Sequence, residues 1–231
     1  MKRFYKTVSV VPAGAAFAVH LDGRPVRTPA KAPLDLPTRA LADAIAAEWE
    51  AQGEELVPQT MPMTQLASTA LDGVHLRREA VADAAAAYAG TDLLCYRAEH
   101  PQELAERQAA LWQPLLDWAA VRFDAVLVPT AGILHRPQDP DALARLRQAL
   151  DAYDPWRLTA LQNAVGICGS LIVALALLDG RISAAEAFAI AQLDETFQIE
   201  QWGEDAEATR RRTAQREDLE ATACFLALLG K

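Results

Sequence analysis

The pattern of apolar and polar positions changes once along the chain. From Phe4 to Val11 the sequence is rich in β-branched and aromatic residues, which predicts a strand. Pro12-Ala13-Gly14 predicts a turn, Ala16 to Leu21 a second strand, Asp22-Gly23 a short hairpin, and Pro25 to Thr28 a return strand. A proline there assigns the return strand to an edge, or places Pro25 at its first residue. Together these form a β-meander. At Pro37-Thr38 the period changes from two to 3.6. Leu41, Ile45 and Trp49 then fall on one helical face, with Thr38 as N-cap and Gly53 as the stop. The proline-punctuated stretch from Val57 to Pro62 predicts a linker. A small N-terminal α/β domain is therefore expected over residues 1–62 and a larger helical domain over 63–231.

Beyond the linker the helical period dominates. Leu66 to Arg78 and Glu79 to Ala89 predict one interrupted helical stretch, followed by an apolar connector from Thr91 to Arg97. Pro101 to Phe123 predicts a long helix with Leu104, Ala105, Gln108, Leu111, Trp112, Leu115, Leu116 and Ala119 on its apolar stripe, and Pro114 as a kink. Asp124 to Thr130 reads as extended. Helices are expected from Pro140 to Ala152, Pro155 to Leu178, Ser183 to Trp202 and Glu204 to Leu229, with prolines at first positions and Gly180 or Gly203 at ends. The apolar block from Ala164 to Leu178 falls short of the roughly 18–20 residues that cross a bilayer, so a central buried helix is expected, not membrane insertion. The fold class is α+β, with a bundle-like C-terminal part.

Composition supports the helical bias, since Ala (48) and Leu (30) make up about a third of the 231 residues. A net charge of −9 with only 22 Lys and Arg lacks the electrostatic footprint of a nucleic-acid binder, whose phosphate contacts need clustered cations. The charge is uneven: Lys2, Arg3, Lys6, Arg24, Arg27 and Lys31 face only Asp22 in the first 31 residues. Arg210-Arg211-Arg212 is surrounded by Glu204, Asp205, Glu207, Glu217, Asp218 and Glu220, the pattern of a solvated mixed-charge face. Cys95, Cys168 and Cys224 are scattered and odd in number, implying neither a disulfide framework nor a zinc site, and hence a reducing cytoplasm. The first residues break at Pro12 and Gly14 before any secretory h-region, and no transit segment is expected. The abundance of Ala and the 18 Arg against four Lys suggest a GC-rich bacterial source.

A search for catalytic chemistry yields little. None of His20, His75, His100 and His135 has the Glu-x-x-His or paired-His spacing of a metal site, so no metal is expected. Ser170 lacks a nucleophile elbow and reads as a small packing residue; Cys168 reads as a small hydrophobe. No glycine-rich phosphate loop is present, and no cofactor is expected. One local conflict remains. On a continuous helix Phe188, Ala191, Glu195, Ile199 and Trp202 share a stripe, which sets a carboxylate among apolar side chains. Either Glu195 pairs with an internal cation such as Arg157 or Arg181, or the stripe faces a partner that supplies one; spacing alone favours the internal pair. Glu200 lies about 140° from Glu195 around the helix, so the two cannot act as a catalytic dyad.

Eight motifs occur in order: Arg3-Phe4-Tyr5-Lys6; Leu21-Asp22-Gly23-Arg24-Pro25-Val26 with Thr28-Pro29; Glu48-Trp49 with Gln52; Met61-Pro62; Thr91-Asp92-Leu93-Leu94-Cys95-Tyr96; Gln108 with Trp112 and Pro114; Gly169-Ser170-Leu171; and Asp194-Glu195 with Gln198, Trp202-Gly203 and Asp205. In this the chain closely resembles the assembly-chaperone family that attends the α subunit of the F-type ATP synthase catalytic head in mitochondria and α-proteobacteria. The resemblance implies two domains and a non-enzymatic role: holding unassembled α subunit, masking its subunit interface and releasing it during assembly. Ring subunits expose apolar interfaces before closure, and such patches aggregate. By motif match it points to Glu195 and, less directly, Glu200 as functional acids, with Asp194 and Trp202 of the same segment as further partner-binding positions. This reverses the spacing-only reading of Glu195. Trp49, on the apolar face of its helix, is expected in the core. A monomeric, cytoplasmic, bacterial member is expected. The alternative is a small-molecule-binding or hydrolytic protein with an acidic inter-domain cleft that uses Glu195 or Asp194 as acid or base.

Overall fold

The computed structural model describes residues 1–132 and 134–230. Strands β1 (Val8–Ala13), β2 (Ala16–Leu21), β3 (Arg24–Pro25) and β4 (Asp35–Leu36) form one sheet in which β2 pairs with all the others, antiparallel throughout. The meander is present with shifted ends. β1 begins at Val8 and carries Pro12 opposite Phe17, so Pro12 sits on an outer strand instead of in the turn. Asp22 and Gly23 turn β2 into β3 with φ of 48° and 79°, the left-handed pair that a two-residue hairpin requires. The Asp22 carboxylate accepts from the Lys6 and Thr7 amides at 3.1 and 2.9 Å, and these bonds hold it below the usual carboxylate range. β4, two residues long, carries no legible sequence pattern.

Helix α1 (Arg39–Glu50) starts as its sequence predicts: the Thr38 hydroxyl accepts from Leu41 N at 3.1 Å and donates to Leu228 O at 2.6 Å. Leu41, Ala42 and Ile45 are buried, whereas Trp49 is only half-buried. The polar members of the Glu48-Trp49…Gln52 motif hold the next segment. Glu48 accepts from the Met63 and Thr64 amides (2.6 and 2.8 Å) and from the Thr64 hydroxyl, capping α2 (Pro62–Thr69) from outside; burial nonetheless raises its pKa. Buried Gln52 accepts from Val57 N and donates to Glu48 O and Thr60 Oγ1, fixing the proline-rich stretch expected as a linker. A π turn over Ala70–Val74 and a 3₁₀ turn over His75–Arg77 lead into α3 (Arg78–Ala87), the interruption the sequence implies. Grouped by contacts, the first unit comprises Met1–Arg78, Pro155–Ala160 and Cys224–Lys231. In it Phe225 is fully buried, with Trp156 at a ring distance of 6.4 Å.

The second unit comprises Glu79–Asp154 and Leu161–Ala223. Its connector is a 3₁₀ turn, Leu93–Cys95, followed by β5 (Tyr96–Arg97), which pairs in parallel with β6 (Thr130–Ala131). Helix α4 (Gln102–Phe123) runs through Pro114 and buries Gln108, Trp112, Leu115, Leu116 and Ala119; Leu111, expected on that stripe, is 44% exposed. In α5 (Pro140–Ala149), Asp139 caps the first turn and Arg147 donates to Glu79, Asp83 and Asp151, tying α5 to α3.

The long helix expected from Pro155 to Leu178 is two: α6 (Pro155–Cys168) and α7 (Leu171–Leu178), broken at Gly169 with φ 63°. Ser170, expected as a packing residue inside the helix, is the N-cap of α7, its hydroxyl accepting from Val173 N at 3.0 Å. The same hydroxyl donates to fully buried Asp92 at 2.7 Å; Asp92 also accepts from Leu94 N (3.0 Å) and Ile172 N (3.1 Å), while Leu93 N donates to Gly169 O. Burial pushes the Asp92 carboxyl up to about 6, against the pull of these donors. Burial, reinforced by Asp92, pushes the thiols of Cys95 and Cys168 up to about 12, which suits inert apolar filling. Every side chain from Leu171 to Leu177 is buried. Among the described residues, no helix is long and apolar enough to cross a membrane.

Asp92→Ala removes the acceptor of at least three buried donors and is expected to lower stability by about 3 kcal/mol at pH 7. With its pKa raised from 3.8 to about 6, the contribution of Asp92 to stability is fully present below pH 3.8 and declines as pH rises through 6. The gap in melting temperature between wild type and Asp92→Ala, followed by circular dichroism, should therefore be larger at pH 4 than at pH 7.

Candidate partner-binding site

The late acidic segment lies in the second unit. The single helix expected over Ser183–Trp202 is divided at Gln192 into α8 (Ala184–Ala191) and α9 (Leu193–Trp202). α8 opens with a capping box, Ser183 accepting from Glu186 N and Glu186 from Ser183 N. The break changes the phase of the stripe drawn through Phe188 and Glu195: Phe188 is buried, but on α9 the buried residues are Leu193 and Phe197, while Trp202 is 79% exposed. Gly203, with φ 89°, ends α9, and Asp205 caps α10 (Ala206–Leu229) by accepting from Glu207 N and Ala208 N.

The carboxylates of α9 have unequal surroundings. Asp194 accepts from Gln108 Nε2 at 2.7 Å, and the Gln108 carbonyl accepts from Ala98 N at 2.7 Å, so a buried amide clamps the acid to α4 and the connector. Glu200 accepts from Arg107 at 2.6 Å; that guanidinium also bonds Glu103 and lies 5.3 Å from the centre of the Phe197 ring. These bonds, to Glu200 first, raise the pKa of Arg107. Glu195 has the loosest partner: Arg211 at 3.3 Å, itself 64% exposed. Spacing suggests for Glu195 either an internal cation such as Arg157 or Arg181 or one on a partner; the cation observed beside it is Arg211, brought back by the turn at Gly203. Arg212, next to it, donates to Gln192 and Thr196 and lies 5.5 Å from the Phe188 ring.

Between α4 and the α8–α9 pair is an open hollow of about 360 Å³, floored by Ala110, Leu111, Ala189 and Leu193 and bordered by Arg107 and Glu200. A second hollow of about 410 Å³ lies on the other side of Gln108 and Asp194, beside Tyr96 and His100. Asp194 and Glu200 thus face α4, and Glu195 faces α10. Sequence reasoning did not single out Arg107, and it read Arg211 only as part of a solvated mixed-charge face. Gln108 did carry a signal, since a long amide inside an apolar stripe must find partners. Among the described residues, no group of three or more His, Cys, Asp or Glu is placed to hold a metal ion.

The family model described as ATP12 chaperone protein matches residues 2–120. The mitochondrial protein atp12 of Schizosaccharomyces pombe is 27% identical over 242 residues, covering 100% of this chain and 82% of the relative. The crystal structure of Atp12 from Paracoccus denitrificans is 44% identical, with a TM-score of 0.94 over 99% of this chain and 98% of that one. A protein from Agrobacterium tumefaciens is 43% identical, also at a TM-score of 0.94, over 99% and 86% of the two chains.

Gln108→Ala breaks two buried hydrogen bonds, one to a carboxylate, and is expected to cost about 2–3 kcal/mol in urea unfolding. Arg107→Ala, at an exposed ion pair, should leave the urea midpoint nearly unchanged.

Proposed function

The chain belongs to the ATP12 chaperone family, and from that premise we propose that it binds unassembled α subunit of the F-type ATP synthase and promotes assembly of the catalytic head. The observation that carries this reading is the family match, which includes the first six ordered motifs, together with identity above 40% to Paracoccus Atp12 over nearly the whole chain. The role proposed is a holder's. It requires no reaction, cofactor or nucleotide turnover, and the chain acts as a monomer in a bacterial cytoplasm. α subunit outside its ring exposes apolar interface, and a reversible cover for that interface keeps it from aggregating.

The late acidic segment fits reversible binding. Glu195 is held by one long, exposed contact to Arg211, so a cation on the client can replace Arg211 at little cost. Glu200 can likewise exchange Arg107, whereas Asp194 is bound to Gln108 and orients α9. Trp202 projects beside them as an aromatic anchor of the kind that concentrates binding energy. Residues 1–62 and 63–231 are proposed as the two functional regions.

Co-expression with cognate α subunit should raise its soluble yield and allow co-purification; no gain and no interaction would sink the proposal. Glu195→Lys is expected to abolish co-purification while leaving the helical signal and melting temperature close to wild type. A collapsed fold would instead make Glu195 a structural residue.

A further inference from the structure

The first unit carries a groove that the acidic segment does not use. Two hollows, of about 790 and 660 Å³, share Met1, Arg27 and Trp49 as walls. One extends past Leu56, Pro58 and Met61 toward the turn at Asp72; the other follows β3 past Pro25 to Phe4, which is 65% exposed. The lining is mostly apolar.

Its charged groups are sorted by sign. The two carboxylates, Asp22 and Asp72, are both engaged: Asp22 with Lys6 and Thr7, Asp72 with the Thr28 hydroxyl (2.6 Å) and Ala30 N (2.9 Å). The guanidinium groups lack acidic partners. Among the described residues, Arg24, Arg27 and Arg77 have no carboxylate partner; Arg27 donates only to Lys31 O. The indole N–H of Trp49, on the wall common to both hollows, is buried without an acceptor. Buried donors are almost always paired, and this one has no acceptor among the described residues.

An apolar groove rimmed by cations that have no carboxylate partner, with an unpaired donor in its wall, is complementary to a chain that brings apolar side chains, carboxylates and carbonyl oxygens together. We propose that this groove seats an extended segment of the α subunit in which carboxylates alternate with apolar side chains. This rests on the client assignment above and adds a second contact surface to the acidic one. A flat anionic membrane fits less well, because the surface is concave and the chain as a whole carries −9.

The test compares affinities of the full chain for purified α subunit. Arg27→Glu/Arg77→Glu reverses two exposed charges, and Ser68→Trp fills the groove. Both are expected to weaken binding at least about tenfold, with the charge-retaining Arg27→Lys/Arg77→Lys close to wild type, and wild-type affinity should fall between about 50 and 300 mM salt. Should Ser68→Trp lower the melting temperature, the arginine pair carries the test alone. Wild-type binding that survives the arginine reversal, while Glu195→Lys abolishes it, overturns the groove assignment and leaves the client reading standing. No wild-type binding at all overturns both. Binding to vesicles of anionic phospholipid that only the groove variants lose, with α-subunit binding unchanged, also overturns it and makes the groove a lipid site.

Discussion

A carboxylate with no water around it must be supplied with hydrogen-bond donors, and at Asp92 that demand sets the geometry of the second unit. The donors come from two places far apart in sequence: Leu94 in the connector, and Ser170 with Ile172 at the start of α7. Meeting them forces the break at Gly169, because the first amides of a helix are free to donate only where a helix begins. The same break lets α7 be apolar on every side, and the connector leads directly into β5 and the Ala98 amide that Gln108 receives. Gln108 in turn orients Asp194. One buried charge is thus linked, through backbone and a single amide, to the surface proposed for the client.

The ionic contacts divide by burial. Asp92 and Gln108 are buried and Glu48 is half-buried; all three accept from backbone amides, where loss of a partner costs stability. Glu195, Glu200, Arg107 and Arg211 are exposed enough that their pairing contributes little to the fold. A chaperone needs both classes: fixed acids that keep helices in register, and loosely held ones that exchange partners when a client docks and again when it leaves.

Local signals in the sequence held at several positions where one residue type decides a backbone state, though Pro12 lies on β1 and not in the turn. Asp22-Gly23, Thr38, Pro140 and Gly203 each mark the turn, cap or end that is observed. The break at Gly169 was illegible because the apolar run continues past it and the break depends on a carboxylate almost eighty residues away, which no helical periodicity can report; the break at Gln192 carries no glycine or proline to mark it. The late acidic segment was legible as a conflict between Glu195 and its neighbours, yet its actual partner, Arg211, follows from the reversal at Gly203 and not from spacing within one helix. The motif Glu48-Trp49 with Gln52 was recognisable, while the work of its two polar residues, capping α2 and fixing Val57, emerges only when their acceptors and donors are seen.

The first unit is assembled from three stretches of chain, and its third stretch comes from the far end of the sequence. Thr38, which starts α1, donates to Leu228 O, and Arg157 donates to Gly230 O. On a ribosome the meander and α1 therefore emerge first but wait for residues 224–230, exposing the site of Phe225 throughout synthesis. A protein that shields another's unfinished surfaces is itself unfinished until its last helix has left the exit tunnel, so premature termination in α10 should damage the N-terminal sheet region as well as the C-terminal one.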